Sequence, residues 1–117
     1  MIKRISLLTR KPGLSEAAFS RYWREVHGPM VKRLPGVRGY FQNHIVDRGH
    51  RHDLPSGDQP VDGVVEFWFD SVEAMDAAFA SPAGKELWAD GAKFIASVTT
   101  FLVEEHVVIP RAGKPAA

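Results

Sequence analysis

Residues 63–70 read GVVEFWFD, and this stretch decides the fold. Val65, Phe67 and Phe69 alternate with Val64, Glu66 and Trp68, the period-two pattern of a β-strand. Both of its faces carry apolar or aromatic side chains. A sheet built around such a strand needs cover on both sides. One layer of helices supplies one cover, and a second copy of the chain is the simplest source of the other.

The flanking segments say what the strand pairs with. Upstream, VRGYFQNHIVD (37–47) alternates as a second strand, with Tyr40, Gln42 and His44 on one face and Phe41, Asn43 and Ile45 on the other. Between the two lies RGHRHDLPSGDQPVD (48–62), a polar loop with two prolines and two glycines. Downstream, SVEAMDAAFASPAGKELWADGAKFIAS (71–97) reads as helix, capped by Ser71 and split by Pro82 and Gly84. Its apolar stripe includes Met75, Phe79, Leu87, Trp88, Phe94 and Ile95. VTTFLVEEHVVI (98–109) is the last predicted strand.

At the other end, IKRISLLTR (2–10) is a β-prone segment closed by the turn cluster KPGLS. Ser15 is the expected N-cap of a helix from Glu16 to His27, and Glu16 suits the positive end of its dipole. No Glu or Gln stands three residues after Ser15, so no capping box forms. Phe19, Tyr22, Trp23, Val26, His27 and Met30 fall on one stripe. Gly28-Pro29 predicts a kink or break, with PMVKRL as a short second piece that ends at LPG. The order β-α-β-β-α-β predicts an α+β, ferredoxin-like antiparallel sheet with both helical regions on one face. Residues 1–110 make one domain, and 111–117 a flexible tail.

Composition narrows the function. The 117 residues carry a net charge of +1 with mixed signs, which argues against a nucleic-acid footprint or an anionic-membrane helix. No apolar run approaches the roughly 20 residues of a membrane span. The start, MIKRISLLTRKPG, lacks the apolar core and small-residue cleavage site of a signal peptide, so a cytoplasmic protein is expected. Cysteine is absent, which removes thiolate nucleophiles, disulfides and cysteine-based zinc sites. There is no G-x-S-x-G elbow, phosphate loop or dinucleotide fingerprint.

Four groups of residues can carry chemistry. His27 lies on or beside the inward stripe, one residue before the Gly-Pro. Helix-end charge and burial pull its titration in opposite directions, and such a ring can move protons. The alternative is a core-edge histidine bonded to a free carbonyl at the helix end. Tyr40, Gln42 and His44 present three polar tips on one strand face, suited to an oxygenated ligand or to an exposed or dimer-facing edge. His50, His52 and Asp53 in the loop are a weak metal signal, and no metal is assigned. Glu66 needs a cationic partner, which Lys3 or Arg4 can supply. Trp23, Trp88 and Phe94 read chiefly as core, with one or two lining a pocket.

FSRYWREVHGPMVKRLPGVRGYFQNHI (19–45) followed by DGVVEFWFDSVEAMDAAFASPAGKELWADGAKFI (62–95) resembles the EthD family. The W-x-x-x-H-G-P element, the L-P-G turn and the W-F-D segment carry the resemblance, which spans nearly the whole chain. It implies a homodimer of the dimeric α+β barrel superfamily, with a ligand pocket between sheet and helices in each subunit. Members include a protein linked to ethyl tert-butyl ether degradation. Others resemble methylmuconolactone methylisomerase or fungal polyketide-tailoring decarboxylases and dehydratases.

By this resemblance His27, Tyr40 and His52 are the catalytic candidates. Trp23, Met30, Gln42, His44, Phe67, Phe69, Trp88 and Phe94 are the substrate-binding ones. Phe67 stands where the isomerase branch has a cysteine, so the methylisomerase reaction is not carried over. The implied function is a cofactor-free acid–base enzyme of isomerase, dehydratase, cyclase or decarboxylase type. Its substrate would be a small oxygenated aromatic, quinonoid, polyketide or lactone-like intermediate. Rival readings are a binding or accessory protein for a hydrophobic intermediate of an oxygenase pathway, and a haem-binding or cofactor-free monooxygenase.

Overall fold

The computed structural model describes residues 1–49 and 51–113. His50 and the end of the 111–117 tail lie outside the described residues. Strands β1 (Ile2–Arg10), β2 (Gly39–His44), β3 (Gly63–Phe69) and β4 (Ile95–Val103) form one sheet in the order β2-β3-β1-β4, and the three pairings are antiparallel. Helices α1 (Glu16–Tyr22), α2 (Gly28–Met30), α3 (Val72–Ala80) and α4 (Pro82–Gly91) complete the β-α-β-β-α-β order. The fold is ferredoxin-like, as the alternation and stripes predict.

β3 lies inside the sheet, and its period-two pattern sets the two faces. Val65, Phe67 and Phe69 are buried and join Leu8, Phe19, Trp23, Met75, Phe79, Leu87 and Phe94 in the core beneath the helices. Val64, Glu66 and Trp68 turn to the opposite face and are only partly buried. There Lys3 bridges Glu66 and Glu105, both at 2.7 Å, with its ammonium 4.7 Å from the centre of the Trp68 ring. Lys3 is therefore the partner of Glu66. Arg4, one residue on, points to the other face and cannot reach it.

Ser15 and Ser71 cap as predicted: their hydroxyls accept from the backbone N–H of Ala18 and Ala74. Ser81 separates α3 from α4 and caps the second, with Pro82 at the first helical position, where its missing N–H costs nothing.

Three expectations need correction. Helical backbone does not break at Gly28-Pro29; Gly28 itself is helical, with φ −54° and ψ −48°. The strain is absorbed one turn earlier, where Trp23–His27 forms a π-turn and the Gly28 N–H reaches back to the Trp23 carbonyl. The wider turn accommodates the proline ring, which would crowd the carbonyl four residues back in an α-helix. It also changes the inward stripe. Phe19, Trp23, His27 and Val31 are buried at a strict spacing of four, while Val26 is 46% exposed. On an ideal α-helix that series drifts by about 40° per step, and one wide turn removes much of the drift.

Second, Ile95, Ala96 and Ser97 begin β4 rather than end a helix; α4 stops at Gly91 and a tight turn follows through Phe94. Third, β4 ends at Val103, not Ile109. Its last pairing with β1 is Val103 with Lys3, and residues 104–109 leave the sheet.

The long loop is tied down at its far end. Asp62, nearly fully buried, accepts from the Arg10 backbone N–H at 2.8 Å and from the Arg10 and Arg48 guanidinium groups. Gly63 follows because no larger residue fits: a Cβ there would stand 2.5 Å from the Trp23 ring.

A candidate active site between sheet and helices

A cavity of about 490 Å³ opens between the helical layer and the inner face of the sheet. Its floor is made by Arg4, Ser6 and Leu8 of β1, Val65 and Phe67 of β3, Tyr40 of β2, and Val98 and Thr100 of β4. Trp23, His27, Phe79, Leu87 and Trp88 close over it from the helical side. The wall is mainly apolar with a few placed polar groups, the usual character of a small-molecule site.

His27 is the first of these groups. It is 9% exposed, and its ring stands edge-on to Phe94 at 5.0 Å. Its Nδ1 lies 2.8 Å from Oδ2 of Asp90, and the Tyr22 hydroxyl donates to Oδ1 of the same carboxylate at 2.6 Å. Burial would raise the Asp90 carboxyl, but the hydrogen bonds from Tyr22 and His27 outweigh it and hold the group below its ordinary value. Asp90 is thus an ionised acceptor, so Nδ1 of His27 carries the proton and Nε2 carries the lone pair. Among the described residues Nε2 has no hydrogen-bond partner. Burial lowers the His27 pKa more than Asp90 raises it, so the ring is neutral at pH 7. The Tyr22 phenol, bonded to a carboxylate and desolvated, is pushed up to about 12.

Asp90 was missed in the sequence, although a signal existed. It falls three residues after Leu87 on the buried stripe of α4, which also takes Gly84 and Gly91. An acidic residue on an inward stripe, in the last turn where the helix dipole disfavours an anion, marks a carboxylate held for a purpose.

Tyr40 is the second group. The Gln42 amide donates to the Tyr40 oxygen at 2.8 Å and to the Trp23 carbonyl at 2.9 Å. Its carbonyl faces Nε2 of His44 at 2.8 Å. With Gln42 donating to it, the Tyr40 hydroxyl keeps its own proton for an acceptor in the cavity. Burial raises the phenol pKa against the opposing effects of the Gln42 amide and the Trp23 indole, which keeps that proton in place. A Cβ at Gly28 would stand 2.6 Å from the Gln42 amide nitrogen, so a larger residue there displaces that amide from Tyr40. The His-Gly-Pro run therefore combines an inward imidazole, clearance for Gln42 and the proline behind the π-turn.

The structure brings His27, Tyr40, Trp23, Phe67 and Trp88 together on the cavity wall. Gln42 and His44 lie behind Tyr40, with the His44 ring against Trp23 at 4.4 Å. Phe94 backs His27, Phe69 is wholly buried and Met30 packs on the core edge. His52 is exposed in the loop, between the ion-paired Arg51 and Asp53, and does not line the cavity. Among the described residues no group of His, Asp and Glu gathers as metal ligands, and no helix is long and apolar enough to cross a membrane. Sequence reasoning also missed Arg4, Ser6 and Thr100 on the floor, because the outward and inward faces of β1 were not distinguished.

Comparison with known proteins agrees with this architecture. An uncharacterized 11.0 kDa protein from the thcB-thcC intergenic region of Rhodococcus erythropolis is 27% identical over 108 residues, covering 92% of this chain and 98% of its own. The crystal structure of an EthD-family protein from Bacillus halodurans superposes with a TM-score of 0.70 at 24% identity, covering 91% of this chain and all of that one. A dimeric ferredoxin-like protein of unknown function from Bacteroides fragilis superposes with a TM-score of 0.66 at 11% identity, over 89% and 95% of the two chains. The EthD domain matches residues 11–97, and the chain belongs to the EthD family.

Proposed function

We propose that the protein is a cofactor-free acid–base enzyme acting on a small oxygenated organic molecule held in the cavity. The reading rests on one observation: a buried His27 on the cavity wall, neutral, with its tautomer set by an ionised Asp90. Nε2 takes a proton from a carbon beside a carbonyl. The electron pair moves onto the carbonyl oxygen, where the Tyr40 O–H donates to the developing charge. The imidazolium is stabilised by Asp90, and it returns the proton to a different carbon or to a leaving oxygen. Isomerisation, dehydration and cyclisation share this step; decarboxylation reaches the same enolate by C–C cleavage with loss of CO2, and the carbon is then protonated. Phe67 and Trp23 keep water from the enolate, and Trp88, 57% exposed on the cavity wall, gives a flat ligand a further face.

The test is carbon-bound hydrogen exchange in D2O, followed by mass spectrometry on a panel of cyclic β-dicarbonyls and unsaturated lactones. The wild type incorporates deuterium, and His27→Gln is slower by about two to four orders of magnitude. Because only the neutral ring is a base, the wild-type rate is flat above neutrality. It falls on acidification with a midpoint below the ordinary histidine value of 6.5. Exchange by the variant at the wild-type rate removes His27 from the mechanism.

The working unit in this proposal is a homodimer closed through the outer sheet face. That face carries Ile5, Leu7, Val64 and Trp68, with Phe41 and Phe101 about half exposed, and no described helix packs on it. Two such faces in contact would make a barrel. Sedimentation as a monomer at micromolar concentration would rule this out.

A further inference from the structure

We infer that Arg4 is an anion receptor in the cavity and that the substrate carries a carboxylate. This inference rests on the reading of the cavity as a substrate site and adds to it the chemical class of the ligand. Arg4 projects from β1 onto the cavity floor, partly buried. Its guanidinium lies 4.8 Å from the centre of the Phe79 ring, and its one hydrogen-bond contact among the described residues is Nη1 to the Met75 sulfur at 3.9 Å. No carboxylate lies within ion-pair distance among the described residues; Asp76, next to Met75, acts on it only through space. Elsewhere Arg10, Arg38, Arg48 and Arg51 each hold an acidic side chain.

A partly buried guanidinium without an oxygen acceptor is best satisfied by a ligand that supplies one. Phe79 takes its face and Met75 one edge, and the remaining N–H groups form the planar fork that matches a carboxylate. Ser6 and Thr100, paired through their hydroxyls at 2.9 Å, come next along the same face and add neutral polar contacts.

Register places the receptor relative to the chemistry. Arg4 pairs with Phe67, whereas Leu8 pairs with Gly63, over which the Trp23 ring lies. Four strand residues, about 13 Å, separate these positions. A carboxylate on Arg4 therefore directs the body of the ligand along Ser6 toward the helical turn that bears His27.

The test is direct binding, read by the fluorescence of Trp23 and Trp88, for aromatic and lactone carboxylates against their methyl esters. Salicylate and methyl salicylate are the first pair. The wild type binds acids about tenfold to a hundredfold more tightly than the matching esters. Arg4→Met loses that preference but still binds esters. Arg4→Lys, which keeps the charge without the fork, retains part of it and controls for a folding defect in the first variant. Failure of every acid to bind better than its ester, or an undiminished preference in Arg4→Met, overturns the inference. His27→Gln separates the two proposals: it keeps the acid preference if Arg4 is the receptor, whatever becomes of the proton transfer. Deuterium exchange on neutral ketones without any acid preference sinks the receptor alone.

Discussion

Asp90→Asn lowers turnover about a hundredfold to ten-thousandfold and leaves KM almost unchanged. The amide is nearly isosteric, so the site keeps its shape. Its oxygen still accepts from the Tyr22 hydroxyl. Its nitrogen then faces Nδ1 of His27, the position the carboxylate oxygen holds at 2.8 Å. Two donors cannot face each other, so the ring takes the other tautomer, with the lone pair on Nδ1 and the proton on Nε2. The atom aimed at the substrate becomes a donor and can no longer act as a base. The negative charge that stabilises the imidazolium is lost as well. A structural role alone would change stability without this split between kcat and KM. Wild-type kcat in a folded Asp90→Asn protein would show that the carboxylate does not set the tautomer. The same variant brings the Tyr22 phenol down from about 12, because its largest cause, the hydrogen bond to Asp90, becomes one to a neutral amide. Ultraviolet titration reads this shift independently of any substrate.

Phe69→Ala costs about 3–5 kcal/mol of folding stability in chemical denaturation. The Phe69 ring is wholly buried, and it contacts Phe67 at 5.6 Å and Phe79 at 5.6 Å. These rings sit at the joint between β3 and α3, and neither strand register nor helix position can shift to fill the space. The truncation loses both the transfer energy of the ring and the contacts of its neighbours. For a domain near this size each kcal/mol lowers Tm by about 4–8 °C. A loss below 1 kcal/mol would mean that the layer between sheet and helices is loosely packed.

Elements with a strong local signal were legible in the sequence. β3 stands where its alternation puts it and β1 where its β-prone composition does, and Ser15 and Ser71 cap because a side-chain oxygen next to three free N–H groups has few other options. The π-turn was not legible. Proline announces a disturbance, but whether the chain kinks or widens depends on what packs against it, here the Gln42 amide and the Trp23 carbonyl. Ile95 and Ala96 fit helix and strand alike by composition, and pairing with β1 decides between them. The site divided along the same line. His27 declared itself as an ionisable group on an apolar stripe. Asp90 obeyed the same rule 63 residues away and was overlooked, since only folding brings the two together. Arg4 was offered as a partner for Glu66 because period-two alternation separates two faces without saying which is inside.

The π-turn also sets where this segment can change length. Removing a single residue between Trp23 and Pro29 would restore ordinary α-helical winding. The five residues of the wide turn cover about the rotation that four cover in an α-helix, so the flanks would keep nearly the same facing. Removing a residue from the regular winding before Trp23 would instead swing everything beyond the cut by about 100°. The surplus residue is thus a place where this helix can shorten while Phe19 and Val31 stay inward.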